Sequence, residues 1–277
     1  MMPTSTESFP GPVSLRVTAN GLEHHVLEWP ARAPDAAATV LLLHGFMDAA
    51  ATWGLVAPAL AAGGYRVIAP DLRGFGDAPR AAAGAYYHFP DYVFDVADVV
   101  DALVPAGGPL LVVGHSMGGT IANMFAGTFP ERVRRLAILE GAGPPNSPPE
   151  TAPDRMRRWI EQVRSVRAKG PGGGRRMASR DDAVQRLIAN HPRVPQDVLR
   201  THVSALAREL GGSEGVGGVA WKADPLHGTT APTPFLAEVW MAFARRVTCP
   251  VLFVSGGPLG WHPPDEEARV ASFAVLD

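Results

Sequence analysis

The chain has 277 residues, 46% hydrophobic and 19% charged, a balance that can fill the core of one sizeable domain with an insertion. Its formal net charge of −2 gives no electrostatic case for nucleic acid or an anionic membrane surface. Cys249 is the single cysteine, which excludes an intrachain disulfide and a cysteine-based metal site. No stretch approaches the roughly 18 uninterrupted apolar residues of a membrane span. Residues 1–12 are polar and proline-rich, lack the order of a signal peptide, and read as a disordered tail. A cytoplasmic location is the default expectation.

Val13 to Ala19 and Leu22 to Trp29 are strand-like runs joined at Asn20-Gly21, a strong hairpin signal because both positions tolerate positive φ. Alternation sends His24 and His25 to opposite faces. The apolar run Thr39 to Leu43 reads as a central parallel strand and ends in His44-Gly45-Phe46-Met47. Trp53 to Ala62 has a helical pattern stopped by Gly63-Gly64, and Tyr65 to Ala69 is the next strand. In the following loop, Asp71 and Arg73 are expected to form a structural charge pair, with His44 bracing the neighbouring loop. Asp91 to Val104 has the apolar period of a helix.

Leu110 to Val113 is a buried strand, Gly114-His115-Ser116-Met117-Gly118 a sharp turn, and Thr120 to Ala126 a helix. A serine on such a turn sits in strained backbone between neighbours that must lack bulk, which Gly114 and Gly118 do. Val133 to Leu139 is another strand, ending at Glu140. The alternation of strand and helix implies an α/β fold with a doubly wound, mostly parallel sheet. Ligands of such sheets bind beyond the carboxyl ends of the strands, where Phe46, Ser116 and Glu140 all fall.

Residues 144–248 break the rhythm. A proline-rich hinge over Pro144 to Pro153 precedes helix-like stretches at Asp154 to Ala168, Arg180 to Asn190 and Gln196 to Leu210, separated by glycine-rich loops at 170–174 and 211–218. This insert is expected to be a helical cap on a core of residues 13–143 and 249–277. Trp221, Phe235, Trp240 and Met241 are candidates to line a substrate pocket. Val251 to Ser255 restores the sheet, Glu266 to Val270 is a short helix, and Ala271 to Leu276 begins a final strand.

His44-Gly45-Phe46, Asp71 to Gly76 and Gly114 to Gly119 resemble the α/β-hydrolase superfamily, and with the Trp221 to Pro225 segment the nearest likeness is to its capped, serine-hydrolase-like members. The resemblance implies Ser116 as nucleophile and the N–H groups of Phe46 and Met117 as the oxyanion hole. Most members carry the acid after the strand that here is Val251 to Ser255, yet that loop holds no carboxylate before Asp265. Glu140 ends the earlier strand, a position some haloalkane dehalogenases use, so Glu140 is the expected acid and Asp265 the alternative. The family places its histidine after the last strand, and none of the nine histidines falls there. His262 and His227 are the alternatives within the chain. The expectation is therefore a truncated sequence, nearly inert at the chemical step as given. The implied reaction is cleavage of an ester or related acyl bond in a small apolar substrate, with no metal or organic cofactor and no partner beyond the small molecule. A carbon–carbon bond hydrolase, a perhydrolase, an acyltransferase or a ligand-binding protein without turnover remain alternatives. Oligomeric state is not legible.

Overall fold

A computed structural model describes residues 11–32, 36–170, 176–211 and 217–276. The expected tail lies almost wholly outside these residues, as do most of the two glycine-rich loops of the insert.

In chain order the elements are β1 (Val13–Ala19), β2 (Leu22–Trp29), β3 (Thr39–Leu43), α1 (Ala57–Ala62), β4 (Arg66–Pro70), α2 (Phe89–Leu103), β5 (Leu110–His115), α3 (Met117–Thr128) and β6 (Val133–Leu139). They continue with α4 (Ala152–Ala168), β7 (Arg176–Met177), α5 (Arg180–Asn190), α6 (Gln196–Leu206), β8 (Ala207–Leu210), β9 (Gly218–Trp221), α7 (Ala237–Ala244), β10 (Val251–Val254) and α8 (Glu266–Val270). The main sheet runs β1-β2-β4-β3-β5-β6-β10. β1, β2 and β4 pair antiparallel, and β4, β3, β5, β6 and β10 pair parallel. Asn20 and Gly21 take φ of 48° and 71°, which sets the hairpin register at Ala19 opposite Leu22.

Every residue of β3 is buried, because the strand is covered on both faces. Period-two alternation sends Leu41 and Leu43 into a core with Val96, Val99, Ile121 and Phe125, the inward faces of α2 and α3. Val40 and Leu42 face the other way, onto Trp29, Ala57, Val67 and Ala69. The expected helix over Trp53 to Ala62 is divided: Ala50–Leu55 is a 3₁₀ turn, and α1 begins beside Pro58, whose missing N–H suits the first helical turn.

The insert differs from an all-helical cap. β7, β9 and β8 form a second, antiparallel sheet, and the expected helix from Gln196 stops at Leu206. Ala207 to Leu210 extends because it pairs with β9, which overrides a helix-compatible sequence. This sheet, α5 and α6 have their own core around Val184, Leu187, Val203 and Val219. α7 lies within 144–248 but belongs to the main core. It packs on α3, with Asn123 Nδ2 donating to the Trp240 carbonyl at 3.0 Å. The expected final strand is also shortened. After α8 the N–H groups of Ser272 and Phe273 turn back onto the carbonyls of Arg269 and Val270, leaving a single parallel bridge between Leu276 and Val251.

The α3–α7 contact depends on Gly127, where a Cβ would collide with the Phe243 backbone. Gly127→Ala is expected to destabilise the chain by about 1–3 kcal/mol, the usual cost of overpacking. Gly54→Ala, with nothing near its added Cβ, is expected to stay within about 0.5 kcal/mol. Urea midpoints of the two variants check the difference.

Candidate active site

Ser116 takes φ 50° and ψ −114°, a conformation that costs a non-glycine residue about 1–3 kcal/mol. The surroundings hold it there. Its N–H donates to the Leu139 carbonyl at 2.9 Å, and its own carbonyl accepts from the N–H groups of Gly119 and Thr120. A Cβ on Gly114 would collide with the Gly118 backbone, and one on Gly118 with the carbonyls of Leu43 and His44. The first turn of α3 thus packs directly on the end of β3. That contact brings the His44-Gly45-Phe46 loop beside Ser116, where a Cβ on Gly45 would lie 3.5 Å from Ser116 Cβ and 2.7 Å from His115 Nδ1. Met117 opens α3, so its N–H has no carbonyl within the helix.

His44 braces this loop, as expected. The Leu72 N–H donates to its Nε2 at 3.0 Å, and its Nδ1 donates to the Gly45 carbonyl at 2.8 Å. The expected pair of Asp71 and Arg73 does not form. Asp71 accepts from His25 Nδ1 at 2.7 Å and from the N–H groups of Ala50 and Asp77, whereas Arg73 Nε donates to Asp95 at 2.6 Å. Burial raises the Asp71 pKa, but the bonds from His25 and the two amides outweigh it and hold the carboxyl below the usual range. His25, Asp71 and Asp77 stand within reach of a common metal ion, yet these hydrogen bonds already account for their arrangement.

Glu140 follows β6 as Ser116 follows β5. His115 pairs with Leu139, so the serine and the glutamate occupy the next step of the register. Glu140 has φ 53°, and its N–H donates to the Val254 carbonyl at 2.8 Å. Its Oε1 is buried and accepts no hydrogen bond from the described residues. That oxygen is lodged against Gly256 and Gly260, where an added Cβ would collide with it. His262 lies on the same loop, with Nδ1 on Glu266 at 2.9 Å and Nε2 donating to the Gly257 carbonyl at 2.6 Å. The Gly257 carbonyl and Glu266 raise its pKa by favouring the charged ring. Asp265 is ion-paired with the buried Arg269 at 2.7 Å.

A cavity of about 680 Å³ opens above these strand ends, within the range of small-molecule sites. Phe46, Ser116, Met117 and Glu140 line it from the core, with Phe235, His227 and Arg155 among the residues of the insert. Of the four pocket candidates, Phe235 lines this cavity, whereas Trp221, Trp240 and Met241 do not. Trp240 is 2% exposed and packs edge-on to Phe273 in the main core, because α7 turns that face inward. Met241 packs on the same core, and Trp221 packs with the insert's own cluster from β9. Tyr86, Tyr87, Phe89, Arg155 and Trp261 line the cavity without having been legible as site residues, since no motif marks them.

His227 stacks on Phe75 with centroids 3.9 Å apart and on Tyr87 at 4.0 Å. Burial drives its pKa down to about 4, against a partial opposing pull from Asp224. Tyr87 Oη donates to Asp224 at 2.7 Å, and the Asp224 N–H donates to the Gly74 carbonyl at 2.8 Å. The insert is therefore tied to the 71–77 loop at this wall of the cavity.

A family model described as alpha/beta hydrolase fold matches residues 38–185. The chain belongs to this family. A serine hydrolase-like protein of Danio rerio is 37% identical over 110 residues, 40% of this chain and 33% of that protein. The 2-hydroxymuconate semialdehyde hydrolase of Pseudomonas sp. strain CF600 is 43% identical over 107 residues, 38% of this chain and 36% of that protein. The matched stretch thus spans about a third of the length of these relatives. The thioesterase domain from the curacin biosynthetic pathway superposes with a TM-score of 0.82 over 97% of this chain and 91% of that one, at 21% identity, a likeness of fold. Among the described residues, no helix is long and apolar enough to cross a membrane.

The stacking of His227 has a measurable consequence. Between its ordinary pKa of about 6.5 and the folded value of about 4, the unfolded chain binds more protons than the folded one, so stability falls as pH drops through that window. By about pH 5 the loss is expected to reach about 2 kcal/mol. His227→Gln should remove that part of the acid sensitivity, seen as a smaller shift of the urea midpoint between neutral and mildly acidic buffer.

Proposed function

We propose that this chain carries the nucleophile, oxyanion site and acid of a serine hydrolase acting on an ester or related acyl bond of a small substrate with a largely apolar body. The observation that carries the reading is the strained Ser116 held between the Phe46 loop and the first turn of α3. Glu140, one register step away, presents a buried oxygen still able to accept a hydrogen bond. Ser116 Oγ attacks the carbonyl carbon. The N–H groups of Phe46 and Met117 take the developing oxyanion, each worth about 2.7–4 kcal/mol in comparable sites. Glu140 orients the imidazole that removes the serine proton.

None of the histidines among the described residues hydrogen-bonds Ser116. His115 lies against Gly45, His227 is stacked between two rings, and His262 has both nitrogens engaged. The chain by itself is accordingly assigned only binding and oxyanion stabilisation, roughly 10³–10⁴-fold over water. No metal or organic cofactor enters this scheme. The similarity to the 2-hydroxymuconate semialdehyde hydrolase favours a second reading, in which the same serine opens a carbon–carbon bond beside a carbonyl.

With free imidazole supplied as the base, a fluorophosphonate probe is expected to label the folded chain at Ser116, and Ser116→Ala to abolish labelling. Free imidazole in solution should accelerate release of nitrophenol from a short-chain nitrophenyl ester, and Glu140→Ala should cut that acceleration about tenfold by leaving the imidazole unoriented. Folded protein that neither labels nor responds to imidazole would sink the proposal.

A further inference from the structure

The cavity wall contains one permanently charged cation. Arg155, in the first turns of α4, lines the cavity, its Nε is buried, and it has no ion pair or hydrogen bond among the described residues. Other arginines of the molecule are accounted for. Arg73, Arg66 and Arg269 are paired with Asp95, Glu28 and Asp265. In the insert, Arg180 and Arg200 hold Glu209 and Asp181. Arg157, Arg158 and Arg164, on the same helix as Arg155, are exposed to water and need no partner. Arg155 alone on that helix turns into a space walled by aromatic and proline side chains. A guanidinium whose Nε is out of water and unbonded, with no counter-charge beside it, keeps donor capacity that an anionic ligand in the cavity can take up.

The geometry points to a carboxylate on the substrate, received by Arg155. This rests on the hydrolase reading only for which end of the molecule is cleaved. A guanidinium presents a planar fork that matches a carboxylate with two parallel hydrogen bonds. One guanidinium balances one negative charge. A phosphate monoester, mostly a dianion near neutral pH, would leave charge uncompensated in a cavity that Glu140 also lines. A monoanion with an apolar body therefore fits best: its carboxylate on Arg155, its body against Tyr86 and Phe235, its scissile group at Ser116. The substrate class becomes the half-ester or acyl derivative of a small carboxylic acid, amphiphilic instead of wholly apolar.

The test compares phenylbutyrate with its neutral isostere phenylbutyramide, titrated calorimetrically into the full chain. The carboxylate is expected to bind about tenfold more tightly, as one charge-assisted pair allows. Arg155→Met should erase the preference and Arg155→Lys keep part of it, with thermal melts confirming that both variants are folded. Equal binding of acid and amide, no saturable binding of the acid at millimolar concentration, or a preference that survives in Arg155→Met would each overturn the proposal. Fluorophosphonate labelling of the same samples, with imidazole supplied as the base, reports on Ser116 independently. Labelling without carboxylate preference removes the anion site alone, and carboxylate preference without labelling removes the hydrolase reading alone.

Discussion

Backbone meeting backbone at the top of the sheet is the constraint on which the site depends. The first turn of α3 can rest on the carbonyls of Leu43 and His44 only because Gly118 has no side chain, and Gly45 can approach Ser116 for the same reason. This contact sets the distance between the serine and the Phe46 loop, so the proposed oxyanion site is a product of main-chain packing. The strain at Ser116 is sustained by the same contact, reinforced by the bond from its N–H to Leu139 on the neighbouring strand. Gly119 and Gly141 repeat the device on the other side, where a Cβ on Gly119 would come within 2.7 Å of the Gly141 Cα. Three strand ends are thereby locked together, and Ser116, the N–H groups of Phe46 and Met117, and Glu140 inherit their relative positions from the sheet.

The parts of the site that come from local sequence were legible for that reason. Gly114, Gly118 and the strand–helix alternation around Ser116 each have a meaning within a few residues of chain. Partners across the fold do not. Asp71 and Arg73 are two positions apart and opposite in charge, yet Asp71 turns to His25 and Arg73 to Asp95, because β2 and α2 bring those groups closer and bury them. Phe235 and Trp240 are five positions apart in one apolar segment. Only the docking of α7 on α3 decides that the tryptophan enters the core while the phenylalanine, ahead of the helix, faces the cavity. Ala207 to Leu210 becomes a strand through pairing with β9, eight to fourteen positions away. Arg155 is one of several arginines on a polar helix, and its distinction is purely one of tertiary position.

The tie between the insert and the core is aromatic and buried, whereas much of the insert's own surface is held by exposed ion pairs. His227 stacks on Phe75 and Tyr87, and Asp224 joins Tyr87 to the Gly74 backbone. Pairs such as Arg180–Glu209 and Arg200–Asp181 stand in water, where each is worth at most about 1 kcal/mol. The orientation of His227 and Phe46 is thus shared with Phe75 of the loop that Asp71 organises.

The absence of a carboxylate after β10 and the presence of Glu140 after β6 are one structural fact. The Glu140 oxygen occupies the space that side chains at 256 and 260 would need, so those positions must be glycine while Glu140 follows β6. A carboxylate at position 256 or 260 would likewise displace Glu140, so these two glycines are matched to a glutamate that follows β6. The nearest acidic residue beyond it, Asp265, is bound to Arg269, whose guanidinium also donates to the carbonyls of Ala142 and Pro144. That buried arginine pins the stretch following Glu140 to α8. The Asp265 carboxylate thus serves the loop that carries Glu140 and does not line the cavity.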